Sequence, residues 1–241
     1  MNRPVIIISP FQFILPRGIE NFSYNLANQL ARKYKLIIYA WNTEHPVKKW
    51  NNWDKNIIIR KVPYSRYYQR EVAQLFYYLW SIYDRPKTII CNFLWHGENI
   101  IYNCNRDIMI FHNPISQIPA RYNFTLKHLI NNSKIVFDSK GNLSEFRKVH
   151  KSFYNCNIIN TGVDSKYFKS ERCEKTNNYL NLISISAFEK RKGISYLIKS
   201  MPILIDKIPE IRLVIIGSGA EKNYYEDLIN KLRIEKYVMI K

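Results

Sequence analysis

One stretch, residues 182–219, constrains the fold of this chain more than any other. It begins with a short apolar run, Leu182 to Ser186, and ends near a second run, Ile211 to Ile216, and both are rich in β-branched residues. Between the runs, apolar side chains recur at intervals of three and four residues: Ile194, Leu197, Ile198, Met201, Leu204 and Ile205. The pattern predicts a strand, a helix and a parallel strand, with both strands buried on both faces of a sheet.

The two strand-to-helix corners of this βαβ unit are unusual. The first corner carries three cations, Lys190, Arg191 and Lys192, immediately before Gly193 and the helix, and the second corner is Gly217-Ser218-Gly219. In an open α/β sheet such corners lie where ligands bind, and the start of a helix favours an anion. One interpretation is a site for a phosphate-bearing ligand; the other is a solvated basic turn followed by a tight glycine turn.

The rest of the chain repeats the alternation of strands and helices. Further strands are predicted at residues 5–9, 35–41, 57–62, 88–91, 107–111, 134–137 and 157–160, and helices at 18–33, 72–83 and 139–150. The segment after the last of these strands, residues 166–179, is polar and charged, which is typical of a linker. We therefore predict an α/β protein with an N-terminal Rossmann-like parallel-sheet domain at 1–165, a linker at 166–179 and a second, incomplete parallel-sheet domain at 180–241.

The helix predicted at residues 72–83 allows two interpretations. Its apolar positions are Val72, Leu75, Phe76, Leu79 and Ile82. The spacing favours a helix that packs these residues on the sheet. However, arginines or lysines flank the segment at positions 66, 70, 85 and 87, and tyrosines and a tryptophan lie within it. That composition also fits an amphipathic helix that rests on an anionic lipid surface.

Two further positions are candidate site residues because of where they follow a strand. Gly18 begins the first helix with Glu20 in its first turn, which would let an oxygen-rich ligand approach the backbone. The alternative is that Gly18 permits a tight turn and Glu20 only complements the helix dipole. His112 ends a middle strand just before Pro114, so it points into the crevice of a parallel sheet. Its alternative role is a hydrogen-bonded structural imidazole.

The charge of the chain narrows the class of partner. Lys and Arg number 37 against 19 Asp and Glu, a formal net charge of +18. No basic tail or aromatic-basic motif of the RNA-binding kind is present, so an anionic membrane or a phosphate ligand ranks above nucleic acid. The four cysteines lack CxxC spacing, and no apolar run approaches the roughly 18 residues of a membrane span. We expect a cytoplasmic protein without zinc, with peripheral contact to the inner face of the plasma membrane.

Taken together, the motifs resemble those of glycosyltransferase family 4. They are Pro16 to Glu20, His112, Asn160 to Asp164 with Phe168, Lys192-Gly193 and Gly217 to Gly219, in that order along almost the whole chain. The resemblance implies the GT-B fold, in which two Rossmann-like domains face a cleft. It further implies that the N-terminal domain binds the acceptor and the C-terminal domain binds a nucleotide-sugar, with transfer by retention and without a bound metal or other cofactor.

The resemblance also implies roles for single residues. Gly18 is similar to the backbone contact to the donor phosphate or the acceptor, His112 to the histidine that touches the transferred sugar, and Lys192 to the lysine that neutralises the leaving diphosphate. The remaining donor-side candidates are Arg191, Gly193, Gly217 and Gly219. The acceptor-side candidates are Glu20, Asn160, Gly162 and Asp164.

Two departures from the family pattern stand out. The arginine that the family usually carries five residues before the lysine is Ala187 here, and the family's paired glutamates would lie beyond Lys241. A three-strand second sheet would also leave apolar edges unpaired. We therefore expect this chain to be part of a longer enzyme.

Three functional hypotheses follow. The leading one is a retaining, hexosyltransferase-type glycosyltransferase that moves a sugar from a nucleotide-diphosphate donor to a cell-envelope, polysaccharide or lipid-linked acceptor. The alternative is a truncated, non-catalytic module that binds an anionic membrane or a partner protein. A nicotinamide dehydrogenase is third, because Lys222 occupies the third glycine position of the fingerprint that Gly217 and Gly219 would begin.

Overall fold

The protein consists of two compact units, Met1–Asp164 (unit 1) and Ser165–Lys241 (unit 2). The structure is a computed structural model that describes residues 3–14, 18–43, 52–63, 65–92, 98–112, 123–150, 156–163, 165 and 179–241. The predicted linker falls almost entirely outside the described residues, as do Asp164, Phe168 and Cys173.

Unit 1 alternates strands with helices. Its strands are β1 (Val5–Ile8), β2 (Leu36–Trp41), β3 (Ile57–Val62), β4 (Thr88–Cys91), β5 (Ile108–Phe111), β6 (Lys134–Phe137) and β7 (Cys156–Ile158). Its helices are α1 (Gly18–Ala31), α2 (Gln69–Asp84), α3 (Asn123–Asn132) and α4 (Lys140–Val149), with a short 3-10 turn at Glu98–Ile100. Helix α3 was not predicted, although Leu126, Leu129 and Ile130 in it have helical spacing and are buried.

The seven strands of unit 1 form one parallel sheet in the order β3-β2-β1-β4-β5-β6-β7. The chain first builds the sheet from β1 towards β3 and then returns to the other side of β1 with β4, so the strand order reverses between β1 and β4. In open α/β sheets this reversal opens a crevice at the carboxyl ends of the two strands, because the connections leave in opposite directions. The fold thus predicts a ligand site beside β1 and β4.

Helices cover both faces of this sheet, which explains the continuous apolar runs of its central strands. All residues of β1 and β2 are buried. Ile6 and Ile8 point into a core shared with α2, α3 and α4, whereas Val5 and Ile7 point into a second core shared with α1. Alternate side chains therefore serve opposite layers, as expected for parallel strands between two helical layers.

Helix α2 packs on the sheet, but with only part of the face that its apolar spacing predicts, because Val72 and Phe76 pack against the core and the other predicted positions do not. Ala73, Tyr77 and Ser81 are its buried residues, and the Tyr77 ring stacks on the buried Tyr39 ring at a centroid distance of 5.4 Å. Leu75, Leu79 and Ile82, expected in the core, are instead 51–57% exposed. An aromatic pair buries more area than a pair of leucines, which accounts for the choice of face.

Unit 2 contains the predicted βαβ unit and one further helix and strand. Its elements are β8 (Leu180–Ile185), a 3-10 turn (Lys190–Lys192), α5 (Ile194–Lys207), β9 (Ile211–Ile216), α6 (Lys222–Leu232) and β10 (Val238–Ile240). The strands are parallel in the order β10-β9-β8. Together the two parallel-sheet units confirm the predicted α/β architecture.

The prediction that the strands of the βαβ unit are buried on both faces is wrong. Both α5 and α6 pack on the sheet face that carries Leu213 and Ile215, where they form a single core. On the edge strand β8, Ile183 and Ile185 belong to the opposite face and are 66% and 74% exposed. The reason is that both crossovers run in the same direction along the sheet, and connections of one hand place both helices on one face.

Across the part of the chain that the structure describes, no helix is both long enough and apolar enough to span a membrane.

Candidate active site

Four polar residues directly follow four adjacent strands of unit 1. Ser9 follows β1, Asn92 follows β4, His112 follows β5 and Asp138 follows β6. Because these strands are parallel neighbours, their carboxyl ends lie along one edge of the sheet. This edge includes the point between β1 and β4 where the strand order reverses. The fold therefore gathers a row of hydrogen-bonding side chains at the place where α/β proteins bind ligands.

The start of α1 is held at this edge by a buried chain of hydrogen bonds. Ser9 Oγ donates to Gln12 Oε1 at 2.9 Å, and Gln12 Nε2 donates to the Glu20 carbonyl oxygen at 3.1 Å. From β4, Asn92 Nδ2 donates to Ser23 Oγ at 2.8 Å. All five of these side chains are at most 3% exposed. Such a fully buried polar network fixes α1 relative to both strands, because breaking any one bond would leave a desolvated group.

One oxygen in this network is not used. Asn92 Oδ1 is buried and has no hydrogen-bond partner among the described residues, while the amide nitrogen of the same side chain is bound to Ser23. A buried carbonyl oxygen without a donor carries a desolvation cost of about 1–3 kcal/mol. It can therefore accept a hydroxyl or amide hydrogen from a ligand at this edge with little further penalty.

The imidazole of His112 lies between an acidic side chain and an aromatic ring. Its Nδ1 is 3.8 Å from Asp138 Oδ2, and its ring meets the Phe22 ring edge-on at a centroid distance of 4.8 Å. Asn142 Nδ2 donates to the other carboxylate oxygen of Asp138 at 2.8 Å. Asp138 is thereby oriented from one side, which leaves Oδ2 on the side of the histidine.

The other nitrogen of the ring, Nε2 of His112, is buried and has no hydrogen-bond partner among the described residues. Burial lowers the pKa of His112 below its ordinary value of 6.5, and the negative charge of Asp138 opposes part of this change. The ring is therefore neutral at pH 7, so Nε2 can make one hydrogen bond without carrying a charge.

Gly18 and Glu20 occupy the first turn of α1, as predicted. Gly18 is the exposed first residue of the helix, and a Cβ added to it would meet no heavy atom within 4 Å. Its surroundings are thus open to a ligand. Glu20 is only 2% exposed, so its side chain belongs to the buried surroundings of the network rather than to the open surface.

The acceptor-side candidates near β7 lie apart from this row of residues in the sheet order. Asn160 and Gly162 are exposed and follow β7, the edge strand, whereas the row follows β1, β4, β5 and β6. The structure does not bring them into the hydrogen-bond network around α1. Asp164 lies outside the described residues.

In unit 2 the two predicted corners meet through their backbones. Phe188 N donates to the Ser218 carbonyl oxygen at 2.8 Å, and Glu221 N donates to the Phe188 carbonyl oxygen at 3.2 Å. A Cβ on Gly217 would stand 1.9 Å from the Ser186 carbonyl oxygen, and one on Gly219 would stand 2.5 Å from that of Phe188. Gly219 also has a φ of +150°, a conformation that favours glycine. Both glycines are therefore required for the close packing of the two corners.

The basic corner forms a 3-10 turn directly before α5. Arg191 Nε donates to Glu189 Oε2 at 2.7 Å, whereas Lys190 and Lys192 are exposed. Gly193 follows with φ +70° and serves as the N-cap of α5, where it offers no side-chain cap. The first backbone N–H groups of this 14-residue helix therefore lack a capping side chain and lie next to cations. Both features favour an anion such as a diphosphate.

A metal site is not evident in the described parts of the chain, where no group of three or more His, Cys, Asp or Glu side chains could hold an ion. Of the other histidines, His128 contacts the Ile101 carbonyl oxygen at 2.7 Å through Nε2, a packing role. His150 packs against the Phe146 ring. His45 and His96 lie outside the described residues.

Comparison with known proteins identifies the fold. Residues 165–241 match the family model described as "Glycosyl transferases group 1". Among solved structures, Anabaena HepE, in complex with UDP and glucose, has a TM-score of 0.75 at 12% identity, with coverage of 100% of this chain and 69% of HepE. The chain has the GT-B fold.

Two more relatives extend the comparison. The lipopolysaccharide outer core galactosyltransferase WaaB has a TM-score of 0.67 at 13% identity, with coverage of 98% of this chain and 66% of WaaB. An uncharacterised glycosyltransferase of Methanocaldococcus jannaschii is 36% identical over 58 residues, which are 24% of this chain and 14% of that protein. The chain thus aligns with only a small part of this curated relative.

Several residues of the site were not predicted from the sequence. They are Ser9, Gln12, Ser23, Asn92 and Asp138. Asn92 and Asp138 could have been found by the same criterion that singled out His112, because each is the first polar residue after a predicted strand. Gln12 and Ser23 carry no such signal, since their burial depends on how α1 docks on the sheet.

Proposed function

We propose that this protein is a retaining family 4 glycosyltransferase that uses a nucleotide-diphosphate sugar. The observation that carries the proposal is the basic 3-10 turn at the start of α5, within the region that matches the glycosyl transferases group 1 model. An exposed lysine pair beside an uncapped helix start is suited to a diphosphate. The GT-B fold and its presence in HepE, which was solved with UDP, support the same class of donor.

The proposed reaction places the charge that develops on the leaving group at this turn. The acceptor hydroxyl oxygen forms a bond to the anomeric carbon of the donor sugar, while the bond between that carbon and the diphosphate oxygen breaks. The electron pair goes to the diphosphate, which also receives the proton of the acceptor hydroxyl on the same face of the sugar. Lys192 and the N–H groups of α5 stabilise the negative charge on the diphosphate, which is the charge that grows in the transition state.

His112 and Asn92 are proposed to orient the sugar. His112 Nε2 and Asn92 Oδ1, neither of which has a partner in the described part of the chain, each offer one hydrogen-bonding position at the carboxyl edge of the unit 1 sheet. Neither needs to change its protonation state for this role. We propose a glycan or lipid-linked acceptor of the cell envelope, a class that includes the acceptor named for WaaB.

The test is donor turnover in the full-length protein. UDP-sugars and GDP-sugars are supplied with a panel of lipid-linked and oligosaccharide acceptors, and release of the nucleoside diphosphate is measured. Lys192→Ala should lose at least ten-fold in kcat, whereas Lys199→Ala, an exposed lysine on the body of α5, should retain it. Full activity of Lys192→Ala would contradict the role of this turn. The anomeric configuration of the product, determined by NMR, decides between retention and inversion.

A further inference from the structure

We propose that unit 1 has a second binding site, which takes a small molecule that carries two or more phosphate groups. The site is a cavity of about 510 Å³ at the end of α1 and the starts of β2 and β3. We call it the amino-edge pocket, defined by residues 31–35, 55, 56 and 58. Four of its side chains are cationic: Arg32, Lys33, Lys35 and Lys55. The volume of the cavity is within the range of roughly 300–1,000 Å³ that small-molecule sites have.

The amino-edge pocket lies at the opposite end of the sheet from the candidate active site. Residues 35 and 55–56 directly precede the parallel strands β2 and β3, whereas the polar row of the candidate active site follows the strands of the same sheet. β2 has six residues. A strand of that length spans about 20 Å, so a small ligand in the pocket would not reach the row. The pocket is therefore a separate site.

The four cations of the pocket have no acidic partner. All four are exposed, and none of them forms an ion pair with an acidic side chain in the described ranges. Asp54, the acidic residue beside Lys55, accepts a hydrogen bond from the Asn56 N–H at 2.8 Å instead. Like charges that surround one cavity repel one another and oppose the compact state. An anionic ligand would remove this repulsion.

The helix dipole of α1 does not account for these cations. No basic residue lies in the last turn of the helix, which ends at Ala31. Arg32 and Lys33 follow that end, where one or two cations complement the dipole. Lys35 and Lys55, however, precede two strands, and strands have only small dipoles. Cations from three segments of the chain thus line one cavity, which is the arrangement expected of a binding site.

Hydrogen bonds shape the cavity before any ligand binds. Asn56 Nδ2 donates to the Ala31 carbonyl oxygen at 3.2 Å, and the Leu36 N–H donates to the Asn56 carbonyl oxygen at 3.3 Å. The Asp54 N–H donates to Asn28 Oδ1 at 2.8 Å. These bonds join the loop before β3 to α1 and to the start of β2. Because the backbone that carries the cations is already held in place, a ligand has to order only side chains.

The side chains of the pocket indicate the class of ligand. Ammonium and guanidinium groups bind phosphate oxygens through charge-assisted hydrogen bonds. A phosphate monoester carries about 1.5 to 2 negative charges at pH 7, so two such groups balance four cations. The Tyr34 ring and Ile58 add apolar surface, and Lys87 Nζ lies 5.5 Å from the centroid of the Tyr34 ring. A compact carbon skeleton with two phosphate groups satisfies both parts of this lining.

A long polyanion fits the pocket less well. Nucleic acids bind along grooves or surfaces whose cations follow the phosphate backbone over many nucleotides. Here the four cations line one concave site at the junction of α1, β2 and β3. The shape of the site therefore favours a small molecule.

The experiment is a calorimetric titration of the full chain, without nucleotide or sugar donor. The probes are fructose 1,6-bisphosphate and inorganic tripolyphosphate, and the comparison ligands are fructose 6-phosphate and sulfate at equal ionic strength. The bisphosphate should bind at least about ten-fold more tightly than either comparison ligand, because it alone among the three brings two phosphate groups to the cations.

A double variant tests the assignment of the cations. Lys35→Gln/Lys55→Gln should weaken the Kd of the bisphosphate at least about ten-fold, because two charge-assisted hydrogen bonds to phosphate are lost. The matched control is Lys148→Gln/Lys199→Gln, which removes the same charge from exposed lysines of α4 and α5 and should bind as the wild type does. All four positions are exposed, so neither variant disturbs the core.

A readout for each unit separates this site from the basic turn before α5. All five tryptophans lie in the first 95 residues, so their fluorescence follows the unfolding of unit 1. The bisphosphate should raise the urea midpoint of that unfolding, because a ligand that binds only the folded state stabilises it. It should also slow hydrogen exchange in wild-type peptides that cover residues 31–36 and 54–58. Lys192→Ala should leave both effects unchanged.

Three results would overturn the proposal: no binding of either probe, equal affinity of the bisphosphate for Lys35→Gln/Lys55→Gln and the wild type, or protection confined to peptides from residues 179–241. Binding of heparin without binding of either probe would also overturn it, and would show that the cations form a surface for long polyanions. The proposed donor site lies in unit 2 and no nucleotide is present, so the outcome is independent of whether the proposed glycosyl transfer is correct.

Discussion

Replacing Gly217 with alanine should destabilise unit 2 selectively. The added methyl carbon would stand 1.9 Å from the Ser186 carbonyl oxygen and 2.7 Å from Cε1 of Phe188. The first obstacle is backbone, and the second belongs to a side chain that is completely buried. Neither can move aside without separating the two corners, so the conformational freedom of glycine is secondary here and the contact distance decides the effect.

The magnitude follows from what such a separation would break. Overpacking a well-packed site costs about 1–3 kcal/mol, and the two backbone hydrogen bonds that join the corners through Phe188 contribute about 1 kcal/mol each. Because the bonds lengthen rather than disappear, we expect a loss of about 3 kcal/mol in the free energy of unfolding of unit 2. The matched control is Ser218→Ala, which removes an exposed hydroxyl and keeps the backbone bond.

The assay must report on unit 2 alone. All five tryptophans lie in the first 95 residues, so intrinsic fluorescence follows unit 1. Hydrogen exchange measured by mass spectrometry on peptides from residues 179–241, at several urea concentrations, gives the stability of unit 2 directly. A loss below about 0.5 kcal/mol in Gly217→Ala, or an equal loss in Ser218→Ala, would refute the argument from close packing.

Two further predictions concern unit 1. Asp138→Asn should lower the pKa of His112 further, because the carboxylate is the group that raises it against burial; an unchanged pKa in an NMR titration of the imidazole would show that another group opposes the effect of burial. The pKa of His112 in the folded state is below 6.5, so as the pH falls the unfolded state becomes protonated at this residue at a higher pH than the folded state does. The free energy of unfolding should therefore fall as the pH drops below about 6.5, and less so in His112→Gln. Arg60→Met should cost about 3 kcal/mol, because Asp84, whose side chain is 5% exposed, loses its charge partner. Lys222→Met, which breaks the exposed pair with Glu226, should cost less than about 0.5 kcal/mol in urea unfolding.

The strands were the most predictable part of the fold. β3, β4, β6 and β9 begin and end at the predicted residues, because apolar and mostly β-branched residues dominate each of these short runs. Their order in the sheet was not predicted. It depends on contacts between strands far apart in the sequence, such as the pairing of Ile6 with both Ile37 and Ile89.

Which face of an element is buried was harder to predict than the element itself. In α2, leucine and isoleucine spacing indicated one face, but only part of that face packs on the sheet, where Tyr77 stacks on Tyr39. In β8, the apolar character of Ile183 and Ile185 indicated burial, yet both helices of unit 2 cover the other side. The local sequence shows that a residue is apolar, but the topology of the fold determines which surface that residue packs against.

The candidate site was also only partly predictable from the sequence. Position after a strand was enough to single out His112, and the cations before α5 identified the basic turn. The partners of His112 could not be derived in this way. Asp138 becomes its neighbour only because β5 and β6 are adjacent in the sheet, and Phe22 only because α1 docks beside them.

The central claim is that the basic turn before α5 binds the diphosphate of a sugar donor, and a calorimetric titration tests it most directly. UDP, GDP and ADP are titrated into the wild type, Lys192→Ala and Lys199→Ala. We expect that at least one nucleotide binds the wild type and that Lys199→Ala matches it. Lys192→Ala should weaken the Kd about ten-fold through the loss of roughly 1.5 kcal/mol of charged hydrogen bonding. Absence of binding by all three nucleotides, or equal affinities of the two variants, would contradict the central claim.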